Sequence, residues 1–187
     1  MTRIVSGSAK GQTLLVPKSG TRPTSERVRE ALFSRLEHYG YIKECVVLDL
    51  FAGSGALAFE ALSRGASDAV CVEANPGAAK IILQNARKLN LPVKVASQKV
   101  ATYLCNTVPV TKFDLVFIDP PYDLDESALT EVLAGLELHL KDDAMVIVER
   151  AKRTPEPNWP DFLRLDDERS WGDTRIWTAV NSASASQ

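Results

Sequence analysis

The stretch Phe113-Asp114-Leu115-Val116-Phe117-Ile118-Asp119-Pro120-Pro121-Tyr122 joins an apolar run directly to two consecutive prolines. The run predicts a buried strand that ends at Ile118, because proline cannot donate to a strand ladder and fixes φ at about −65°. The residue before each proline is also held in extended backbone. We therefore expect the Asp119 carboxylate, the Pro120 carbonyl oxygen and the Tyr122 ring at the rigid mouth of a strand. This set suits a planar amino group on a stacked heterocycle, although a strand with a tight turn and an exposed tyrosine would give the same pattern.

The segments around this stretch alternate in type. From residue 46 to residue 150, apolar runs typical of buried strands alternate with segments whose apolar residues recur at helical spacing. The predicted strands are 46–50, 69–73, 92–96, 113–118 and 144–149, and the predicted helices are 56–64, 76–89, 99–107 and 127–140. This alternation favours a Rossmann-like α/β fold with a mostly parallel sheet covered on both faces.

Both ends of the chain differ from this α/β body. Strand-like segments at 163–166 and 174–180 have no helix between them, which predicts an antiparallel edge hairpin and a sheet of seven strands. At the other end, short strand candidates at 3–5 and 13–16 predict a hairpin arm, followed by a helix over residues 25–38. We divide the chain into an arm of residues 1–22, a domain of residues 23–180 and a tail of residues 181–187 that we expect to be disordered.

Length and composition are those of one globular domain. The chain has 187 residues, of which 45% are hydrophobic and 25% charged, so a sizeable core is expected. No apolar run approaches the roughly 20 residues that span a bilayer, and no signal peptide is predicted. Cys45, Cys71 and Cys105 are odd in number and widely spaced, which favours neither a disulfide framework nor a zinc site. We expect a cytoplasmic protein without metal or membrane partner.

Positive charge is concentrated near the N-terminus. The chain carries a net charge of −2, yet its first 35 residues hold seven arginines and lysines against two glutamates. Arg22, Arg27 and Arg29 crowd the start of the first predicted helix, where the helix dipole favours an anion over a cation. This distribution favours a phosphate partner, with a solvated helix face and a polar arm as the alternative.

A second motif follows the first buried strand. Asp49-Leu50-Phe51-Ala52-Gly53-Ser54-Gly55 opens a helix, and glycines there let the backbone approach a ligand closely. Glu73 ends the next strand, where a carboxylate can accept both ribose hydroxyls of a nucleoside. These residues and Asp119 all fall at the carboxyl ends of predicted strands, which is where open α/β sheets bind ligands.

A dinucleotide site is the alternative for this loop. Ala58 stands at the third glycine position of the NAD fingerprint, a variant that the fingerprint tolerates. Asp49 disfavours this alternative, because its carboxylate would repel a pyrophosphate but suit a cofactor bearing an ammonium and a sulfonium. Hydride transfer also does not require Asp-Pro-Pro-Tyr.

Together, the motifs Asp49–Gly55 and Asp119–Tyr122 resemble those of S-adenosylmethionine-dependent amino methyltransferases. More narrowly, the chain is similar to the RsmD family of bacterial 16S ribosomal RNA guanine-N2 methyltransferases. The similarity extends over nearly the whole chain to about residue 180. It includes Arg3-Ile4-Val5-Ser6-Gly7, Gly11, Arg22-Pro23-Thr24, Arg29-Glu30-Ala31-Leu32-Phe33, Gly53-Ser54-Gly55-Ala56-Leu57 and Glu60-Ala61-Leu62-Ser63-Arg64-Gly65-Ala66.

The resemblance implies S-adenosylmethionine as cofactor and 16S rRNA as partner, within an assembled small-subunit particle, for a monomeric enzyme. The catalytic residues would be Asp119, Pro120, Pro121 and Tyr122. The cofactor would contact Asp49, Phe51, Gly53, Ser54, Gly55, Glu73, Ala74 and Gln98. Candidate RNA contacts are Arg3, Lys10, Arg22, Thr24, Arg27 and Arg29. Relatives often place an acid or amide for the cofactor adenine after the third strand, where this chain has Ser97-Gln98-Lys99.

The motifs are also compatible with three other functions. The same cofactor could serve an adenine-N6 methyltransferase acting on DNA or RNA, or an enzyme that methylates a protein glutamine. The protein-amide enzymes tend to have asparagine at the position of Asp119, which disfavours that option. A non-catalytic RNA-binding module is the third alternative, and the intact Asp49, Gly53, Glu73, Asp119 and Tyr122 argue against it.

Overall fold

The computed structural model describes residues 2–17, 25–108 and 110–182, and its strands form one large sheet and one small one. The strands are β1 Thr2–Arg3, β2 Thr13–Leu14, β3 Val46–Leu50, β4 Asp68–Val72, β5 Val93–Ala96, β6 Phe113–Ile118, β7 Leu140–Ala151, β8 Leu163–Trp171 and β9 Thr174–Asn181. The helices are α1 Glu26–His38, α2 Ala56–Ser63, α3 Pro76–Leu89, α4 Val100–Asn106 and α5 Glu126–Ala134, with a 3₁₀ turn at Glu137–His139.

The large sheet has seven strands in the order β5-β4-β3-β6-β7-β9-β8. The five strands from β5 to β7 run parallel, and β9 and β8 add the antiparallel edge hairpin. The predicted Rossmann-like fold is therefore confirmed. Because the chain leaves β3 toward β4 and returns through β6 on its other side, a crevice opens between the carboxyl ends of β3 and β6.

Helices cover both faces of the sheet, as the alternation of apolar runs indicated. On one face, Val47, Phe117 and Ile147 pack in a cluster with residues of α1, α2 and α3. On the other face, a second cluster joins Leu48, Val116 and other strand residues to α4 and α5. Alternate residues of one strand thus enter different cores, which is why the parallel strands read as continuous apolar runs.

The N-terminal arm pairs β1 with β2 in an antiparallel two-stranded sheet, shorter than predicted. The arm is docked on the domain: the N–H groups of Val5 and Ser6 donate to the carboxylate of Glu60 on α2. Gly7 has a φ of +83°, and a Cβ there would lie 1.8 Å from the Ser63 carbonyl oxygen. Glycine is therefore required where the arm meets α2.

Several predicted boundaries change in the structure. The helix predicted over residues 127–140 ends at Ala134, because the chain passes through a 3₁₀ turn and β7 already begins at Leu140. The two hairpin strands are longer than predicted, since polar residues continue their exposed face. Asn181 and Ser182 do not belong to a disordered tail: Asn181 is a buried part of β9, and the Ser182 N–H donates to the Phe162 carbonyl. Residues 183–187 of the predicted tail lie outside the described residues, as does the predicted arm boundary at residues 22 and 23.

Among the described residues, no helix is long and apolar enough to cross a lipid bilayer. Within the same residues, no group of three or more histidine, cysteine and acidic side chains could hold a metal ion.

Candidate active site at the carboxyl ends of β3, β4 and β6

Two predicted motifs meet at one edge of the sheet. Leu50, the last residue of β3, is in register with Ile118, the last residue of β6, and with Val72, the last residue of β4. The loop after β3 and the Asp-Pro-Pro-Tyr corner after β6 therefore leave neighbouring strands at the same level. The structure thus brings together the two motifs that the sequence separates by about seventy residues.

The loop after β3 has an unusual backbone. Phe51 has a φ of +63°, although it is not a glycine, and Gly53 and Gly55 have φ values of +58° and +79°. Gly55 is the N-cap of α2, and a Cβ there would lie 2.7 Å from the ring of Phe59. A side chain at Gly55 would therefore clash with the buried Phe59 ring and would be strained by the positive φ. The backbone is held in a narrow turn that directs it toward the edge of the sheet.

Asp49 lies beneath this loop, with only 1% of its surface exposed. Its carboxylate accepts a hydrogen bond from the Ala58 N–H at 3.2 Å, which ties the strand to the first turn of α2. The pKa of Asp49 is raised to about 8, chiefly because burial disfavours the charged form, while the carboxylates of Asp119 and Glu73 raise it as well. The charges of Asp119 and Glu73 therefore reach Asp49, and a cation bound near these three acidic groups would be stabilised.

Glu73 and Gln98 stand at the ends of the next two strands. The Glu73 carboxylate accepts hydrogen bonds from the Gly53 N–H at 2.8 Å and the Asn75 N–H at 2.7 Å. It thus braces the glycine loop against the start of α3. Gln98 follows β5 at the same edge and is half-buried, and Ala74 is exposed beside Glu73. The residues predicted to bind the cofactor thus follow the ends of three neighbouring strands, β3, β4 and β5.

The corner after β6 contains a turn. Asp119 is half-buried, Pro120 is buried, and 69% of the surface of Tyr122 is exposed. The Leu124 N–H donates to the Pro121 carbonyl and closes a turn. Asp119, Pro120 and Tyr122 line a cavity of about 110 Å³, which extends away from β3 toward the end of β7.

Sequence reasoning missed the far wall of this cavity. It is formed by Glu149, Arg150, Ala151, Arg153, Thr154, Asp173 and Thr174. The available signal was the parallel pairing of β6 with β7, which places the residues just after Val148 beside those just after Ile118. Asp173 in the β8–β9 turn and Thr174 at the start of β9 could not be located from their own sequence.

The predicted RNA contacts include both exposed and buried residues. Arg3, Lys10 and Arg27 are exposed, and Arg3 pairs with Glu26 at 3.0 Å. Arg29 was wrongly assigned: only 1% of its surface is exposed, and its guanidinium lies 3.3 Å from Glu60 and donates to the Arg3 carbonyl. Burial also lowers the pKa of Arg29, against the attraction of Glu60. Arg29 fastens the arm instead of facing solvent, and Arg22 and Thr24 lie outside the described residues.

The sheet order and the two strand-end motifs define an S-adenosylmethionine-dependent methyltransferase fold. A family model described as "Conserved hypothetical protein 95" matches residues 2–180. The chain belongs to this family, the RsmD family that its sequence resembles.

Curated relatives agree with this assignment. The chain is 37% identical over 165 residues to the Ribosomal RNA small subunit methyltransferase D of Haemophilus influenzae, with 84% of each chain covered. It is 35% identical to the protein of the same name from Escherichia coli K12, covering 91% of this chain and 85% of the relative. Among solved structures, the Escherichia coli protein yhhF has a TM-score of 0.85 and 31% identity, with 96% and 97% of the two chains covered.

A more distant structure shares the fold. Magnesium protoporphyrin IX methyltransferase from Synechocystis PCC 6803, solved with bound S-adenosylmethionine, has a TM-score of 0.66 at 15% identity over 83% of this chain and 79% of its own. At that identity only the fold is shared. Together with the relatives, the fold identifies a methyltransferase.

Proposed function

We propose that this protein methylates the exocyclic N2 amine of a guanine in 16S rRNA, within an assembled small-subunit particle. The observation that carries the proposal is the adjacency of the glycine loop and the Asp-Pro-Pro-Tyr corner at neighbouring strand ends. The names of the relatives support ribosomal RNA of the small subunit as the substrate class. The shape of the particle would supply the specificity, as the resemblance to the RsmD family implies.

The residues on the β3 side fit the proposed cofactor. Glu73 would accept the ribose hydroxyls, Gln98 would contact the adenine, and the backbone of residues 51–55 would lie against the cofactor. Asp49 would face its ammonium and sulfonium, which suits a site that already gathers three carboxylates. When bound, S-adenosylmethionine supplies a methyl group activated by its positive sulfonium.

The corner on the β6 side would position the acceptor. A guanine amine is a poor nucleophile because its lone pair is delocalised into the ring. Asp119 and the Pro120 carbonyl would accept its two N–H groups, which favours a tetrahedral nitrogen with its lone pair aimed at the methyl carbon. The amine held by these two acceptors would form the new N–C bond as the C–S bond breaks with its electrons left on sulfur, and the nitrogen would then lose one proton. Positioning of this kind can supply about 7–11 kcal/mol.

Tyr122 would hold the base in this position. Its exposed ring could stack on the heterocycle, an interaction worth about 1–3 kcal/mol. The base must leave its helix or loop to reach the corner, as in other enzymes that act on a base.

The test is methyl transfer from tritium-labelled S-adenosylmethionine to small subunits, naked 16S rRNA and DNA, with the modified nucleoside identified by mass spectrometry. We expect N2-methylguanosine, formed best in small subunits. N6-methyladenine in RNA or DNA would replace the proposed acceptor. No transfer to any of the three, with RNA binding intact, would indicate a non-catalytic binding module.

The raised pKa of Asp49 predicts that cofactor binding releases a proton. Between about pH 4 and pH 8 the cofactor-free fold holds a proton on Asp49 that the unfolded chain has lost, so stability falls as pH rises through this window. A cationic cofactor favours the carboxylate. Its affinity should therefore rise between pH 5.5 and pH 7.5, by at most about tenfold per pH unit.

Calorimetry in buffers of different ionisation enthalpy measures this proton release. The Asp49→Asn variant should bind the cofactor more weakly and release no proton over the same range. Equal proton release by the variant and the wild-type protein would rule out Asp49 as the source.

The exposed basic residues of the arm and of α1 predict salt-dependent RNA binding. Lys10→Gln and Arg27→Gln should each weaken RNA affinity for every sequence and reduce the slope of log K against log salt by about 1. Point variants are preferable to deletion of the arm, because Ile4 is buried in the core beneath it. Lys94→Gln is the matched control, since Lys94 is exposed but pairs with Asp68 at the far edge of the sheet. Unchanged slopes in the first two variants would exclude these residues from the RNA surface.

A further inference from the structure

A buried cation lines the cavity in which the methyl-accepting base would bind. Arg150 lies near the end of β7 and lines the cavity together with Asp119, Pro120 and Tyr122. Only 9% of its surface is exposed, which is unusual for an arginine that is not fully paired. Alternation along β7 directs Arg150 to the same face of the sheet as Val148, toward the start of α5.

Half of the guanidinium has a structural role. Arg150 Nη2 donates to the Leu124 carbonyl at 2.8 Å and to the Glu126 carboxylate at 3.1 Å. Leu124 and Glu126 belong to the segment that connects the Asp-Pro-Pro-Tyr corner to α5. Arg150 therefore fixes the segment that follows the Asp-Pro-Pro-Tyr corner.

The other half of the guanidinium is unused. Arg150 Nη1 is buried and has no hydrogen-bond acceptor among the described residues. Buried donors nearly always have a partner, because leaving one unpaired costs about 1–3 kcal/mol. Arg150 lines the cavity that also contains Asp119, so a substrate that enters this cavity and reaches Nη1 would complete the buried cationic donor.

The chemistry of the donor restricts the ligand. Guanidinium nitrogens only donate, so the partner must be an acceptor atom. A guanine whose N2 amine meets Asp119 carries the acceptors N3, O6 and N7 on the rim of the same rigid plane, and arginine is the most common partner of guanine acceptors.

We propose that Arg150 is a substrate-contacting residue whose Nη1 donates a hydrogen bond to an acceptor atom of the target guanine, while Nη2 holds the corner that binds its amine. This inference rests on the proposed function. Arg150 would thus hold the Asp-Pro-Pro-Tyr corner through Nη2 and recognise the base that enters it through Nη1.

The experiment combines base analogues with protein variants. Once the methylated nucleotide is known, small subunits are reconstituted with ligated 16S rRNA that carries guanine, 3-deazaguanine, 7-deazaguanine or 2-aminopurine at that nucleotide. 3-Deazaguanine lacks the acceptor N3, 7-deazaguanine lacks N7, and 2-aminopurine lacks O6. We expect the wild-type enzyme to lose about 10–100-fold in kcat/KM on one of them. The Arg150→Met variant should be slower on guanine but should not distinguish guanine from that analogue.

Two further variants separate this contact from other effects. Glu126→Gln weakens the anchoring of the corner but leaves Nη1 in place, so the discrimination among analogues should persist. Arg153→Gln removes an exposed positive charge from the same cavity and should change RNA affinity equally for all four bases. A purely structural role for Arg150 predicts instead that Arg150→Met and Glu126→Gln behave alike.

The inference is overturned if the wild-type enzyme treats all four bases equally, or if Arg150→Met retains the wild-type discrimination. If Arg150→Met does not fold, Arg150→Lys provides the same comparison, since its single ammonium cannot serve both sites. A wild-type enzyme that forms no N2-methylguanosine on unmodified subunits would refute the proposed function itself, a result that the first assay gives without any Arg150 variant.

Discussion

Asp119→Ala is expected to lower the rate of methyl transfer by about 10²–10⁴-fold, a range typical for loss of a positioned catalytic acid or base. The variant leaves the amine with one acceptor, the Pro120 carbonyl, so the nitrogen lone pair is no longer held toward the methyl donor. The loss should appear in kcat, because the missing contact is strongest when the nitrogen becomes tetrahedral.

Cofactor affinity is the second measurement for this variant. Asp119 lies close enough to raise the pKa of Asp49, so its removal should make Asp49 easier to ionise. Binding of S-adenosylmethionine by Asp119→Ala should therefore be retained and shifted slightly to lower pH. This separates loss of the acceptor corner from collapse of the whole site.

Asp123→Ala is the matched control. Asp123 is exposed in the same loop, four residues after Asp119, so it tests the loss of a negative charge near the corner without loss of the acceptor. We expect its kcat to stay within a factor of about three of the wild-type value, since exposed charges interact weakly through water. Near-wild-type turnover by Asp119→Ala would remove that residue from the mechanism.

The sequence predicted the sheet well because its signals are local. Buried parallel strands are apolar on both faces, so β3 and β6 were predicted with the bounds that the structure gives. The carboxyl ends of parallel strands must share one edge, which is why Asp49, Glu73 and Asp119 could be placed together without coordinates.

The errors concern partners that are distant in the chain. Arg29 has the sequence context of an exposed phosphate contact, and only its pairing with Glu60, on a different helix, shows that it is buried. Arg150 follows an apolar run and could not be connected to the Asp119 cavity before the register of β6 and β7 was known. Local periodicity carries no information about which polar side chains meet across elements.

Glu60→Ala is expected to be the most destabilising of the single substitutions considered, at about 3–5 kcal/mol. Glu60 is fully buried on α2 and accepts hydrogen bonds from the N–H groups of Val5 and Ser6 and from Arg64 Nε at 2.8 Å. Arg29, also buried, lies 3.3 Å away. Alanine would leave two buried guanidinium groups and two N–H groups without their shared acceptor.

Glu37→Gln provides the control for this prediction. Glu37 pairs with the same Arg64, at 2.7 Å, but 42% of its side chain is exposed. Its loss should cost less than about 1 kcal/mol, because water replaces an exposed partner. Glu60→Gln should fall between the two, since the amide keeps one acceptor oxygen but loses the charge.

Urea unfolding measures the loss of unfolding free energy in each variant. Hydrogen exchange of the amides of residues 4–6 shows whether the loss is located in the arm. The amides of Val5 and Ser6 should lose protection in Glu60→Ala even where the sheet stays folded, because the carboxylate is their acceptor. Equal stabilities for Glu60→Ala and Glu37→Gln would mean that the buried cluster contributes no more than a surface pair. The packing of Ile4 and the hydrogen bonds of residues 6, 8 and 9 to Ser63 would then hold the arm in place.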